Sequence, residues 1–193
     1  MPAQQDWEDR YLRGETGWDR GGTSPALTHW LTHTLKAPAR VLIPGCGRGH
    51  EVIMLARLGF SVTAIDIAPS AVAHLKQELA RAGLSAEVIL GDLFTYSPDE
   101  PFDVVYEQTC LCAIQPGQRK AYEERLHAWL KPGGIRLALF MQADSEGGPP
   151  FHCAVNDMQQ LFPASRWDWP DAGTQNVPHH SGRFELGHSL TRK

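Results

Sequence analysis

A glycine-rich turn near residue 45 decides the fold of this chain. The stretch reads Ile43-Pro44-Gly45-Cys46-Gly47-Arg48-Gly49-His50-Glu51 and follows the short apolar segment Arg40–Ile43. Glycine adopts backbone conformations that other residues avoid, and it lets a ligand approach the main chain closely. The G-x-G-x-G spacing differs from the G-x-G-x-x-G that seats a pyrophosphate at a helix N-terminus. We predict a strand, a tight turn and a helix, with the turn either purely structural or in contact with a ligand that needs no phosphate seat.

Segments typical of strands and of helices alternate around and beyond this turn. Strands are predicted at Arg40–Ile43, Ser61–Ile65, Glu87–Leu90, Phe102–Tyr106 and Ile135–Met141, and helices at Glu51–Leu58, Ser70–Ala82 and Gln118–Leu130. Alternation at this spacing predicts an α/β fold, with a doubly wound, mostly parallel sheet and helices on both faces. Ligands of such sheets bind at the carboxyl ends of the strands. The residues that follow the predicted strands are therefore the first candidates for a site.

The flanking segments complete a single predicted domain that spans residues 1–193. Residues 1–36 form an aromatic N-terminal segment in which the glycine-rich stretch 14–22 is predicted to be a loop between two helices. Residues 142–193 contain a Gly-Gly-Pro-Pro turn, a predicted helix near Val155–Leu161 and strand-like segments at Arg166–Trp169 and Phe184–Leu190. We expect residues 40–141 to form the binding core and the flanks to close the sheet and cover the site.

Composition and charge exclude several classes of protein. Charged residues make up 21% of the chain and the formal net charge is −4, which suits a globular enzyme better than a disordered or nucleic-acid-coating protein. No apolar run approaches the ~20 residues of a membrane helix, and no signal peptide is visible. Four cysteines are too sparse for a disulfide scaffold, so we expect reduced thiols and a cytoplasmic protein. No metal site is expected, and His179-His180 is predicted to lie in a solvated loop.

Two acids follow two of the predicted strands. Asp66 ends the second strand, 21 residues after Gly45, which is the offset at which an acid reaches ribose hydroxyls in such folds. Ile67 follows it and is placed to pack on an adenine ring. Asp92, with Leu93 after it, ends the third strand and is placed to accept from an adenine amine. Either acid alone is also consistent with a helix cap or a solvated loop charge, but together with the glycine turn they favour an adenosine-bearing ligand.

The stretch Val41–Met141 resembles the class I S-adenosylmethionine-dependent methyltransferases. The glycine turn, the two strand-end acids and the turn Leu130-Lys131-Pro132-Gly133-Gly134 carry this resemblance. It implies a Rossmann-like methyltransferase fold with a seven-stranded sheet, and S-adenosyl-L-methionine as the cofactor.

The flanks are similar to one family within that class, the thiopurine S-methyltransferase family. Its N-terminal signature is similar to Trp7-Glu8-Asp9-Arg10-Tyr11 and Gly14-Glu15-Thr16-Gly17-Trp18-Asp19. Two further motifs are closest to the thiol and halide methyltransferase branch: Thr109-Cys110-Leu111-Cys112-Ala113-Ile114 and Gly147-Gly148-Pro149-Pro150-Phe151.

The resemblance implies that an N-terminal aromatic flap closes over the cofactor. Trp7, Tyr11 and Trp18 correspond to three aromatics that line the pocket there, and ring faces attract a sulfonium cation. The alternative to a pocket position for Trp18 is a core position under the loop. Trp30 and Trp129 lie on the apolar faces of predicted helices and are expected in the core. The predicted cofactor-binding residues are Trp7, Tyr11, Trp18, Gly45, Cys46, Gly47, Asp66, Ile67, Asp92, Leu93 and Gln108.

Catalytic and acceptor-side residues are expected after the fourth strand and near residue 151. Glu107 is predicted to be a binding residue beside the methionine part of the cofactor, and it is also a candidate general base. Tyr11 is the second candidate base, acting through a water molecule that it holds. The alternative for Glu107 is a structural role as a cap on the following loop. Gln108 stands where the family often has an aromatic. Cys112 and Phe151 are predicted to contact the acceptor, and Phe151 lacks the hydroxyl that relatives in the halide branch often carry, which weakens an anion-binding site.

A small, soft nucleophile is the predicted methyl acceptor, most of all a thiol sulfur. Methyl transfer from a sulfonium is an in-line displacement with a neutral leaving group, so proximity and alignment can supply about 7–11 kcal/mol. Halide, thiopurine and selenium or tellurium oxyanion acceptors are alternatives. Two further alternatives for the function are a non-catalytic module that binds an adenosine ligand and an RNA methyltransferase. The absence of a basic run disfavours RNA, so we expect no nucleic-acid or membrane partner, and a monomer or weak homodimer.

Overall fold

The computed structural model describes residues 4–143, 147–169, 175–179 and 182–193. The chain divides between Tyr96 and Ser97 into two compact units. Each unit is an α/β arrangement with parallel strand pairing.

The first unit follows the predicted alternation closely. Its elements are α1 (Gln4–Leu12), α2 (Pro25–His33), β1 (Arg40–Pro44), α3 (His50–Arg57), β2 (Ser61–Asp66), α4 (Pro69–Ala82) and β3 (Glu87–Leu90). The strands pair in parallel in the order β3-β2-β1. β1 and β2 are buried along nearly their whole length, as expected of strands covered on both faces. Residues 14–22 form the predicted loop between two helices.

Helix α4 shows why the sequence pattern was sufficient in this unit. Val72, Leu75 and Leu79 recur at helical spacing and are all buried, which gives the helix its apolar face. Pro69 lies in its first turn, where a missing N–H costs nothing. Gly83 ends the helix in the left-handed region at φ 64°, a conformation that glycine adopts at little cost.

The second unit combines a parallel pair with an antiparallel extension. Its elements are β4 (Phe102–Glu107), two 3₁₀ turns (Leu111–Ala113 and Pro116–Gln118), α5 (Arg119–Trp129), β5 (Leu130–Gln142), α6 (Val155–Leu161), β6 (Trp167–Asp168), β7 (Gln175–Pro178) and β8 (Phe184–Arg192). β4 pairs with β5 in parallel, and β8 pairs antiparallel with β5, β6 and β7. The described residues thus form eight strands where seven were expected, because β7 was not predicted.

Strand β5 begins five residues earlier than predicted. Leu130 already pairs with Phe102, and a register shift between Phe102 and Val104 absorbs the residues from Lys131 onward. A Cβ on Gly134 would lie 2.8 Å from the Lys131 carbonyl oxygen, so this bulge requires a glycine. The turn predicted at 131–134 is therefore an irregular start of the strand, since its backbone still reaches β4.

Burial confirms some core predictions and corrects another. Trp30 and Trp129 are buried, as predicted. His179 is also buried, and its backbone N–H donates to the Arg183 carbonyl at 2.7 Å, so the prediction of a solvated side chain is wrong for this residue. His180 lies outside the described residues.

Neither a membrane span nor a cluster of metal ligands is found in the described part of the chain. No helix there is long and apolar enough to cross a membrane. No three His, Cys, Asp or Glu side chains within 4–143, 147–169, 175–179 and 182–193 are grouped to hold a metal ion. His29 and His33 do stack one helical turn apart on α2, with ring centroids 4.2 Å apart, but they are only a pair.

Candidate active site

The glycine turn has the strained geometry that its sequence predicts. Gly45, Gly47 and Gly49 all adopt left-handed conformations, with φ of 60°, 55° and 75°. A Cβ on Gly49 would lie 2.3 Å from Leu75, because α4 packs against the turn. The Cys46 N–H donates to the Ile65 carbonyl at 3.2 Å. The turn is thereby fixed to the end of β2, beside Asp66.

Asp66 is buried at the carboxyl end of β2 and faces the glycine turn. One carboxylate oxygen accepts from the Gly47 N–H at 2.8 Å, and the other accepts from the Ala68 N–H at 2.9 Å. Burial raises the pKa of Asp66, although hydrogen bonds from the backbone of Ala68, Gly47 and Ile67 oppose the shift. These three bonds occupy three of the roughly four lone-pair sites of the carboxylate, so about one site remains to accept from a ligand hydroxyl. This remaining acceptor fits a ribose hydroxyl.

Asp92 lies next to Asp66 in the first unit. The Gly91 N–H donates to the Asp66 carbonyl at 3.0 Å, which brings the ends of β2 and β3 together. One oxygen of the Asp92 side chain accepts from the Phe94 N–H at 2.8 Å and so orients the carboxylate. Leu93 is buried, while Ile67 is partly exposed. The structure thus brings Asp66, Asp92 and their apolar neighbours Ile67 and Leu93 to the carboxyl ends of β2 and β3.

The three predicted flap aromatics form one cluster. The ring of Trp18 meets Trp7 at 5.3 Å and Tyr11 at 5.5 Å between centroids, edge to face in both cases. A side-chain hydrogen bond also joins Trp18 to Tyr11. A Cβ on Gly47 would lie 3.2 Å from the Tyr11 hydroxyl oxygen. The Tyr11 end of the cluster therefore lies against the glycine turn, and a side chain at position 47 would press on the Tyr11 hydroxyl.

The Tyr11 hydroxyl is held in its neutral form. Burial is the main cause, and the neighbouring Asp66 carboxylate adds to it; together they raise the pKa of Tyr11 far above its ordinary value. A phenol in this setting is a hydrogen-bond donor and a poor base. The prediction that Tyr11 holds a water remains compatible with this state.

Glu107 ends β4 in the second unit and is completely enclosed. Its side chain is 1% exposed and forms an ion pair with Arg136, which is 0% exposed. The second carboxylate oxygen accepts from the Leu111 N–H at 2.6 Å. The Arg136 guanidinium also lies over the Phe162 ring, 4.0 Å from its centroid. These contacts make Glu107 a cap on the loop after β4, the structural alternative considered for it.

Gln108 joins two strands through its side-chain amide. Its oxygen accepts from the Tyr106 hydroxyl at 3.1 Å, and its nitrogen donates to Glu185 at 3.3 Å. Glu185 lies on β8 and is fully buried. Neither Arg136 nor Glu185 was predicted as a site residue, because both lie inside strands and reach Glu107 and Gln108 only through cross-strand pairing.

Cys112 and Phe151 are neighbours in the second unit although they are distant in sequence. The Phe151 N–H donates to the Cys112 carbonyl at 2.7 Å. Arg119 donates to the carbonyls of Phe151 and His152, at 3.4 and 3.1 Å, and so fixes this loop. Burial raises the pKa of the Cys112 thiol well above its ordinary value, so the thiol stays protonated; its contact with the acceptor stays a prediction.

The geometry of the first unit fits an adenosine-bearing cofactor. A left-handed glycine turn, a buried acid at the end of β2, a second acid after β3 and a cluster of aromatic rings occupy one region. Asp66 suits a ribose, Asp92 suits an exocyclic amine, and the aromatic cluster suits a cation. These are the groups that S-adenosylmethionine presents.

Solved structures show which fold this is. The 1,6-didemethyltoxoflavin-N1-methyltransferase of Burkholderia thailandensis, crystallised with bound 1,6-didemethyltoxoflavin and S-adenosylhomocysteine, is similar with a TM-score of 0.79 and 23% identity, over 98% of this chain and 87% of that one. The magnesium protoporphyrin IX methyltransferase of Synechocystis, with bound S-adenosylhomocysteine, has a TM-score of 0.78 and 15% identity, over 98% and 99% of the two chains. The fold is the Rossmann-like α/β fold of S-adenosylmethionine-dependent methyltransferases.

The family follows from sequence comparison. A match to the thiopurine S-methyltransferase family covers residues 2–190. The probable thiol methyltransferase 2 of Arabidopsis thaliana is 33% identical over 160 residues, which cover 81% of this chain and 70% of that protein. A thiopurine S-methyltransferase of Xanthomonas campestris is 29% identical over 196 residues, with 92% and 89% covered. The chain belongs to the thiopurine S-methyltransferase family and is an S-adenosylmethionine-dependent methyltransferase, so the alternative of a non-catalytic binding module is not retained.

Proposed function

We propose that this enzyme transfers a methyl group to the sulfur of a small thiol. The observation that carries the proposal is the cluster of Trp7, Tyr11 and Trp18 on the glycine turn, with Asp66 beneath it. This arrangement suits a cofactor that combines a ribose with a sulfonium. The thiol is supported by relatives that are named as thiol and thiocyanate methyltransferases.

The proposed roles follow from the position of each group. S-adenosylmethionine supplies an electrophilic methyl group on a sulfonium and a neutral thioether as the leaving group. Asp66 accepts from the ribose hydroxyls, and Asp92 accepts from the adenine amine beside Ile67 and Leu93. Gly45, Cys46 and Gly47 present backbone to the cofactor, while the ring faces of the aromatic cluster stabilise positive charge.

We propose that neither Glu107 nor Tyr11 acts as a strong general base. Both carboxylate oxygens of Glu107 are already engaged, one by Arg136 and the other by the Leu111 N–H. We therefore assign it a positioning role in place of the base predicted from sequence. A free thiol has a pKa near ~8.5 and is only slightly ionised at pH 7. The acceptor would then arrive as thiolate, and kcat/KM should rise with pH up to the pKa of the thiol.

A panel of acceptors tests this assignment. The purified enzyme with S-adenosylmethionine is offered small thiols, bisulfide, iodide, thiocyanate, a thiopurine and a selenium oxyanion, with headspace detection of volatile products. We expect the largest kcat/KM for a small thiol, and a rate that follows the thiolate fraction as pH is varied. Preference for iodide or for the thiopurine would overturn the thiol assignment, and a flat pH profile would point to an internal base.

Replacing Trp18 by alanine tests the aromatic cluster. We expect the affinity for S-adenosylhomocysteine to fall, because Trp18 contacts both Trp7 and Tyr11, while the melting temperature of the free protein changes little. Titration calorimetry and thermal unfolding measure the two quantities. Trp30 is the matched control, since it is buried in the core: Trp30→Ala should destabilise the fold by about 3–5 kcal/mol. A similar loss of stability in Trp18→Ala would show that Trp18 is a core residue.

We further propose a cytoplasmic enzyme that acts on small molecules as one domain, as a monomer or weak homodimer. All four cysteines are free and buried, which suits a reducing compartment. The formal net charge of −4 gives no support to a nucleic-acid partner. Light scattering at two protein concentrations would measure the oligomeric state.

A further inference from the structure

Asp19 connects the flap loop to the glycine turn. It follows Trp18 directly. One carboxylate oxygen accepts from His50 Nε2 at 2.8 Å and from the Gly21 N–H at 2.8 Å, and the other pairs with Arg48 Nε at 3.0 Å. Arg48 belongs to the glycine turn and His50 is the first residue of α3. The contacts therefore bridge segments about 30 residues apart in the chain.

The burial of this bridge distinguishes it from ordinary surface ion pairs. The Asp19 side chain is 15% exposed, whereas both members of the Arg13–Glu15 pair in the same segment are 56% exposed. Exposed pairs contribute little because water and salt screen them. Burial opposes the ionisation of Asp19, yet the bonds from Gly21 and His50, with Arg48, hold its pKa below the ordinary value. The carboxylate is thus ionised and fully engaged at neutral pH.

A second acid fixes the other end of the flap. Glu8, on α1, accepts from the Ser70 N–H at 2.9 Å and from the Ser70 hydroxyl. The residue that precedes α4, Ala68, offers no side-chain cap, so Glu8 supplies one from another helix. Trp7, Tyr11 and Trp18 lie in or next to the segments that these two acids anchor.

We propose that Asp19 is a positioning residue that sets how tightly the cofactor is retained. Its bonds to Arg48 and His50 fix the backbone at Trp18, and Trp18 in turn orients Tyr11 over Gly47. Loss of the Asp19 charge frees the loop from the glycine turn and leaves the aromatic cluster without its orientation. This inference rests on the cofactor site proposed above, and it assigns Asp19 a role that its position beside Trp18 does not by itself indicate.

Two matched variants test the proposal, because Asp19→Asn and Glu15→Gln each remove one negative charge from the same loop. Binding and release of S-adenosylhomocysteine are followed by titration calorimetry and by stopped-flow tryptophan fluorescence. We expect Asp19→Asn to weaken binding roughly five- to tenfold, within the range for the loss of one ordinary hydrogen bond, mainly through faster release. KM for S-adenosylmethionine should rise while kcat at saturation stays the same. Glu15→Gln should match the wild type in every measurement.

The outcomes separate the two proposals. If the wild type fails to bind S-adenosylhomocysteine, the cofactor site itself is wrong. If the wild type binds and Asp19→Asn binds equally well, the cofactor site stands and the role of Asp19 is wrong. A fall in kcat with unchanged KM would also contradict it, because positioning of the flap acts on retention. Should Asp19→Asn fail to fold, Arg48→Gln removes the same ion pair from the exposed partner, and Arg48→Lys should restore binding in part.

Discussion

Replacing Arg136 by methionine is expected to lower the free energy of unfolding by about 3–5 kcal/mol, the range for breaking a buried ion pair from one side. Arg136 and Glu107 are 0% and 1% exposed, so the variant leaves a carboxylate in the interior without its cation. Methionine preserves much of the packing against Phe140 and Phe162, over which the guanidinium lies. The loss of stability in Arg136→Met therefore measures the removal of the positive charge and not a change in side-chain volume. Urea unfolding followed by circular dichroism measures it.

The double variant Glu107→Gln/Arg136→Met is the internal check. It removes both charges and keeps an amide oxygen that can accept from the Leu111 N–H, so it should be more stable than Arg136→Met alone. The external control is the Asp103–Lys131 ion pair, which joins the same strands β4 and β5 near the start of β4 with side chains 30% and 51% exposed. Lys131→Met should cost at most about 1 kcal/mol. If Arg136→Met costs no more than this control, the buried pair is not a main stabilising contact.

Replacing Asp66 by alanine is expected to weaken S-adenosylhomocysteine binding by about 1–3 kcal/mol, which corresponds to roughly 5- to 150-fold in Kd. The variant removes the carboxylate proposed to accept from the ribose, and it also frees the N–H groups of Gly47 and Ala68. Both effects act on the glycine turn, so the loss should be larger than for any single flap residue. Titration calorimetry on folded protein, checked by circular dichroism, measures the Kd.

Glu87→Gln is the matched control for Asp66→Ala. Glu87 accepts from the Thr63 hydroxyl at 2.9 Å and links β2 to β3 at their amino ends, whereas Asp66 lies at the carboxyl end of β2. Parallel sheets bind ligands only at the carboxyl ends, so Glu87→Gln should leave the Kd unchanged. Equal affinity in Asp66→Ala and the wild type would remove Asp66 from the site. An equal loss in both variants would mean that sheet stability alone accounts for the effect.

The local pattern of the sequence predicted most elements to within one or two residues. Helix α6 has the predicted bounds, and so does β3, because both are short periodic runs between clear turn signals. Strand β7 was missed, since Gln175–Pro178 contains a single β-branched residue and ends on a proline, which is not typical of a strand. The early start of β5 was missed because Lys131-Pro132-Gly133-Gly134 is a turn signal, and only pairing with β4 extends the strand through it.

Candidate site residues divide in the same way. The glycine turn and the strand-end acids could be found from sequence because parallel strands align their carboxyl ends at one edge. The partners of Glu107 and Gln108 could not. Arg136 pairs in register with Val105, two residues before Glu107, and side chains two apart share a face of the sheet. Register of this kind is a property of two strands together.

The α/β alternation, the glycine turn and the acids at the ends of β2 and β3 follow from the sequence alone, because each is a local pattern of a few residues. Folding alone sets three further contacts: the ion pair of Glu107 with Arg136, the bonds of Asp19 to Arg48 and His50, and the position of the Tyr11 hydroxyl against Gly47. Those contacts depend on strand register and on where a loop lies after folding. No spacing along a single chain encodes them, since they arise between segments that only folding brings within hydrogen-bond distance.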